Sequence, residues 1–132
     1  MAASRIAGIF TEGFARGASD VHLAAGQRPF LRLDGEMTPL SEDSLTQAEL
    51  QDFLAHILTE AEHERLRQEK SLDLSLALEE RHCRAHVYGM SGSWAIAVRL
   101  LPREISALSN LGVPPALFLL LRAQDGLILV GG

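Results

Sequence analysis

The chain has 132 residues, of which 47% are hydrophobic: one ordinary domain with enough apolar material to bury a core. Its net charge of −5 offers no basic field to a phosphate backbone, which argues against a nucleic-acid partner. The single cysteine, Cys83, excludes an internal disulfide and fits a reducing compartment, so the cytoplasm is the natural reading. No window reaches the ~18 consecutive apolar residues of a membrane span, and no signal-peptide pattern opens the chain, so membrane association has to come through a partner.

Ile6, Ile9, Phe10 and Phe14 fall at helical spacing after Ser4, a capping residue, and Gly17 follows as a stop. This predicts a helix over 4–16. Residues 21–25 and 30–33 read as strands. Asp34-Gly35 then predicts a two-residue hairpin into a strand over 36–40, because both turn positions need positive φ. Thr46 with Glu49, and Thr59 with Glu62, each fit a capping box, in which hydroxyl and carboxylate satisfy helix-start amides reciprocally. The first of the two helices they open carries Leu50, Phe53, Leu54, Ile57 and Leu58 on one stripe and must pack against something. The second is charged from Glu60 to Lys70 and reads as a surface helix.

Leu72, Leu74, Leu76 and Leu78 alternate with small or polar residues, which predicts a strand with one buried face. Residues 81–88 and 94–101 predict two more, joined by a turn at 89–93 into a three-stranded antiparallel meander closed by Pro102. The stretch 103–113 reads as a linker. Beyond it come a short helix over 116–122, a turn at 124–126, and four consecutive apolar residues at 127–130. That last run predicts a strand buried on both faces, as in a parallel sheet.

Six landmarks follow one another in order: Ala-Ser-Asp-Val-His at 18–22, Leu-Arg-Leu-Asp-Gly at 31–35, Arg84, Val-Arg-Leu-Leu-Pro at 98–102, Leu111-Gly112, and Gly-Leu-Ile-Leu-Val at 126–130. Together they resemble the type IV pilus and type II secretion ATPase superfamily over nearly the whole chain. The short stretch ahead of the first landmark is similar to the pilus-retraction (PilT-like) branch, since assembly and secretion members carry an additional domain there. The resemblance implies an α+β fold: a PAS-like antiparallel sheet with flanking helices over 1–102, the linker, and over 114–132 the first helix and strand of a RecA-like P-loop domain. It also implies a homo-hexameric motor, cytoplasmic and peripheral to the inner membrane through a platform protein, which uses ATP and Mg²⁺ to drive pilus retraction or secretion.

By the family's pattern Gly132 is the first glycine of the phosphate loop, although Gly131-Gly132 also suits a flexible end. Such a loop needs Gly-x-x-x-x-Gly-Lys-Ser/Thr, whose lysine reaches the phosphates and whose hydroxyl holds Mg²⁺. These 132 residues contain neither partner at that spacing, so on their own they are expected to hold no cofactor and hydrolyse nothing.

Arg84 and Arg99 sit on neighbouring predicted strands at similar distances from the 89–93 turn. Like charges facing across a strand pair are unfavourable unless an anion lies beside them. The resemblance supplies that anion, since the family's N-terminal arginines reach nucleotide phosphates. The ordinary alternative is surface pairing with Asp73, Glu79 or Glu80. The family commonly has a further turn arginine, and the matching position here is Gly92. Asp20 and His22, two apart on a strand, point to one face where carboxylate and imidazole could bond each other; in the family this box is architectural, holding the first helix onto the sheet. His82 and His86 flank Cys83, but four residues along a strand span about 13 Å, too far to share one metal ion. Cys83 reads as core, and His56 and His63 as surface residues on the helices. Trp94, Ile96, Val98 and Leu100 share the face opposite Arg99 and read as core. Two other readings stay open: a standalone PAS-like sensor in which residues 127–130 pack as an edge strand, and a module docking a membrane platform through Phe30 and Leu40.

Overall fold

The computed structural model describes the backbone from Ala2 and side chains from Arg5 onward. Helix α1, Ala2–Ala15, buries Ile6, Ile9 and Phe10, the stripe that the 3.6-residue period places on one face. It begins two residues ahead of Ser4, whose expected capping side chain lies outside the described residues. Gly17, with φ 68, turns the chain out of it.

Six strands follow: β1 Asp20–Ala24, β2 Phe30–Leu33, β3 Glu36–Pro39, β4 Ser71–Leu78, β5 Arg81–Met90 and β6 Ser93–Leu100. Asp34 and Gly35 both have positive φ, as the two-residue β2–β3 turn requires. Ser91 and Gly92 do the same between β5 and β6, and Glu79 and Glu80 between β4 and β5. That third turn is built from residues with no glycine among them. Between the two hairpin groups lie α2, Gln47–Ile57, and α3, Glu60–Glu69, each opened by the expected capping box.

The two hairpin groups form one antiparallel sheet in the order β3-β2-β1-β6-β5-β4. The predicted meander of β4, β5 and β6 is therefore half of a larger sheet, joined to the first half where β1 pairs with β6. Helices cover one face only. Val21, Leu23, Leu31, Cys83, Ala85, Val87, Ile96, Val98 and Leu100 point into that layer and are buried with Leu50, Phe53 and Leu54 of α2. The rings of Phe10 and Phe53 stack at 5.6 Å where α1 meets α2. Burial pushes the Cys83 thiol up, as suits a core residue. His56 is exposed on α2, His63 is half-buried on α3, and Leu40 packs against the core and is only half-buried.

After Leu100 the chain leaves the sheet. A single 3-10 turn, Leu108–Leu111, ends in Gly112, and a one-turn helix α4, Leu117–Leu120, is shorter than the span of 116–122 expected for it. Residues 127–130, expected as a strand, have no ladder partner among the described residues and are exposed, Val130 at 96%. A strand of the doubly buried kind forms only when neighbouring strands take up its amides and carbonyls on both edges. No helix is long and apolar enough to cross a membrane among the described residues.

Candidate functional site

The sheet face away from the helices carries the site. In an antiparallel pair, residues directly opposite share a face. Arg32 of β2 is opposite Asp20 of β1, Asp20 is opposite Arg99 of β6, Arg99 is opposite Arg84 of β5, and Arg84 is opposite Ser75 of β4. One row thus runs across five strands as cation, anion, cation, cation, hydroxyl. The alternation of sign holds until β5 and fails there.

Asp20 is the hinge of the row. Its carboxylate lies 3.5 Å from the Arg32 Nε, accepts a bond from the Arg99 Nε at 3.3 Å, and accepts another from the Ser19 hydroxyl at 2.7 Å. The Asp20 side chain is only 14% exposed. Burial by itself raises its carboxyl, but the bonds from Ser19 and Arg99, with the charges of Arg99 and His22, hold it below its ordinary value. Arg99 is engaged only through Nε, and its side chain is 68% exposed. Among the described residues no carboxylate lies within ion-pairing distance of Arg84.

Of the ordinary partners expected for these arginines, Asp73 and Glu79 are engaged elsewhere, and among the described residues neither they nor Glu80 pairs with Arg84 or Arg99. Asp73 binds His86 at 2.8 Å, and His86 stacks on Tyr88. Glu79 accepts from the Thr11 hydroxyl. Arg99 instead finds its carboxylate on β1, a pairing that follows from the β1–β6 ladder and not from sequence proximity. The bond conceived between Asp20 and His22 does not form. His22 Nε2 is buried with no hydrogen-bond partner among the described residues, and burial chiefly drives the imidazole pKa down. The box ties strands and also meets the helix: Asp20 reaches from β1 to both neighbours, the Ser19 backbone bonds Arg32 O on one side and Leu100 N on the other, and the Ala18 amide donates to Gly13 O of α1.

Arg84, Arg99, Asp20, Asp73 and His86 border a shallow depression of about 210 Å³. Two exposed guanidinium groups side by side, one of them with no counter-ion, suit an anion with several oxygens, because planar N–H forks match phosphate geometry. Gly92 lies at the tip of the β5–β6 turn with φ 78, at the far end of the strands from this row. Gly132 is exposed and does not line the depression. Arg32 and Ser19 are members of the site that the sequence did not single out; their only signal was membership in the landmarks at 31–35 and 18–22.

This architecture, six antiparallel strands with helices on one side, matches the N-terminal domain of PilT-like ATPases, in the type IV pilus and secretion ATPase superfamily. Among solved structures, the pilus retraction motor PilT with bound ADP is 31% identical, with a TM-score of 0.74 over 85% of this chain and 33% of that one. YggR, an uncharacterized protein of Escherichia coli K12, is 30% identical over 115 residues, 86% of this chain and 34% of that protein. The ATPase DotB of Legionella pneumophila shares the fold at 18% identity and a TM-score of 0.64, over 94% of this chain and 36% of that one. DotB of Yersinia pseudotuberculosis does so at 17% and 0.68, over 86% and 34%. No family model matches the chain. The chain spans about a third of the length of the proteins it matches.

Proposed function

We propose that this chain is the N-terminal regulatory and oligomerising domain of a cytoplasmic, hexameric motor ATPase that powers pilus retraction or secretion, with Arg84 and Arg99 answering the phosphates of the nucleotide. The observation that carries the reading is the adjacent cation pair Arg84–Arg99, of which only Arg99 has a carboxylate partner among the described residues, on the open face of a domain shaped like that of an ADP-bound retraction motor. In this reading residues 1–102 are a PAS-like domain, 103–113 the connector, and 114–132 the start of the RecA-like unit. The apolar residues 127–130 gain their neighbouring strands from that unit, and Gly132 opens its phosphate loop.

ATP with Mg²⁺ supplies the energy of the motor, and the loop lysine and hydroxyl that hold it are not among these residues. What this domain contributes is a pair of guanidinium groups that favour a γ-phosphate over its absence, which is differential binding between nucleotide states. A nucleotide that draws Arg84 and Arg99 inward rotates the domain about the connector, a hinge motion. An inner-membrane platform protein is the partner that receives the work.

The test is turnover in the full-length protein. Arg84→Ala and Arg99→Ala each lower the ATP hydrolysis rate roughly 10-fold or more, by analogy with phosphate-facing arginines elsewhere. Both variants keep the wild-type circular dichroism. Normal turnover in both overturns the assignment.

A further inference from the structure

The two arginines are not equivalent. Arg84 has no carboxylate partner, whereas Arg99 is held through its Nε by Asp20, a largely buried carboxylate anchored by Ser19 and shared with Arg32. Resting on the phosphate reading above, we propose that Asp20 is an internal competitor for the anion: phosphate meets Arg84 first, and Arg99 joins only by leaving or sharing the Asp20 carboxylate. Asp20 thereby sets how much anion is needed before both arginines are engaged.

Two opposing effects decide the sign. By holding Arg99 in place Asp20 reduces the side-chain freedom lost on binding, which favours the anion modestly. By placing a negative charge next to the guanidinium, it repels every charge of the incoming ligand, and for a polyphosphate that repulsion is multiplied by the ligand's charge. The competitor effect dominates for a polyanion. Other charges that face the row do not replace Asp20. Asp73 is engaged by His86, and Arg32 sits on the far side of Asp20, where it steadies the carboxylate.

The experiment titrates inorganic tripolyphosphate into the isotope-labelled chain at low ionic strength and fixed neutral pH. It follows the side-chain Nε–H resonances of Arg84 and Arg99 separately. In the unmodified chain Arg84 shifts at a lower concentration than Arg99. In Asp20→Asn, which keeps an oxygen to accept from Ser19 and Arg32, the two shift together and the apparent affinity rises at least threefold. Asp20→Glu restores the separation. If the two arginines move together in the unmodified chain, or Asp20→Asn leaves affinity unchanged or weaker, the competitor role is overturned while the phosphate site stands. If neither arginine moves in any variant, the phosphate reading itself fails, and this proposal with it. The order of the two curves in the unmodified chain decides the matter even if Asp20→Asn does not fold.

Discussion

Arg84 and Arg99 stand directly opposite each other on β5 and β6, on the sheet face that no helix covers. Cross-strand neighbours of like charge destabilise a sheet, and of the two carboxylates beside them, Asp20 and Asp73, only Asp20 pairs with either arginine. A fold optimised only for stability places an uncharged residue or a carboxylate at position 84.

Replacing Arg84 by Thr, a good strand former, therefore stabilises the domain by about 0.5 kcal/mol at low ionic strength. The gain shrinks at 1 M salt, where the Debye length is about 3 Å. Urea unfolding of both proteins at low and high salt measures it. A loss of stability on substitution shows that Arg84 makes favourable contacts that outweigh the repulsion.

Acid unfolding should proceed in two stages. Burial disfavours the charged His22 imidazole, so unfolded chains take up a proton that folded ones resist. Stability falls as pH drops below the ordinary histidine value of 6.5, until the folded-state pKa is passed. The depressed Asp20 carboxyl contributes stability above its ordinary value of 3.8, and that contribution is lost as pH falls further, through the folded-state pKa. Glu49 and Glu62, held below their ordinary value chiefly by bonds from the Thr46 and Thr59 amides, add to this second stage. Denaturation midpoints from pH 8 to pH 2 test both stages. His22→Phe removes the first and Asp20→Asn weakens the second; an unchanged profile in either variant rules out that residue as the cause.

The turns make a third test. Glu80 has φ 61 without being glycine, and the left-handed region costs an L residue about 1–2 kcal/mol. Glu80→Gly gains roughly 1 kcal/mol net of unfolded-state entropy while keeping the Glu79 bond to Thr11. In the β5–β6 turn the reverse change, Gly92→Arg, loses roughly 1 kcal/mol for the same reason. Thermal melting resolves both, since 1 kcal/mol moves the midpoint of a domain this size by about 4 °C. A lower midpoint for Glu80→Gly contradicts the strained-turn account.

Local rules made most elements legible. Capping boxes marked the starts of α2 and α3 because both partners of each box lie within four residues. Asp34-Gly35 marked the first hairpin because the backbone need and the residues that meet it are adjacent. The nearness of Arg84 and Arg99 was readable from their similar distances to the turn expected at 89–93, whereas their register follows from the tighter turn at Ser91-Gly92 that the structure shows. Sequence alone thus placed the two arginines together and the landmark order around them.

What only the tertiary structure decided is how the two hairpin groups meet. The β1–β6 ladder pairs residues nearly eighty positions apart, and no local propensity encodes such a contact. That ladder sets Asp20 against Arg99 and leaves Arg84 without a counter-ion. It also buries His22 Nε2 away from the partner its spacing had suggested. The strand expected at 127–130 stayed unpaired for the same physical reason seen from the other side: a strand is completed by its neighbours, and alternation or apolar content can announce only that it needs them.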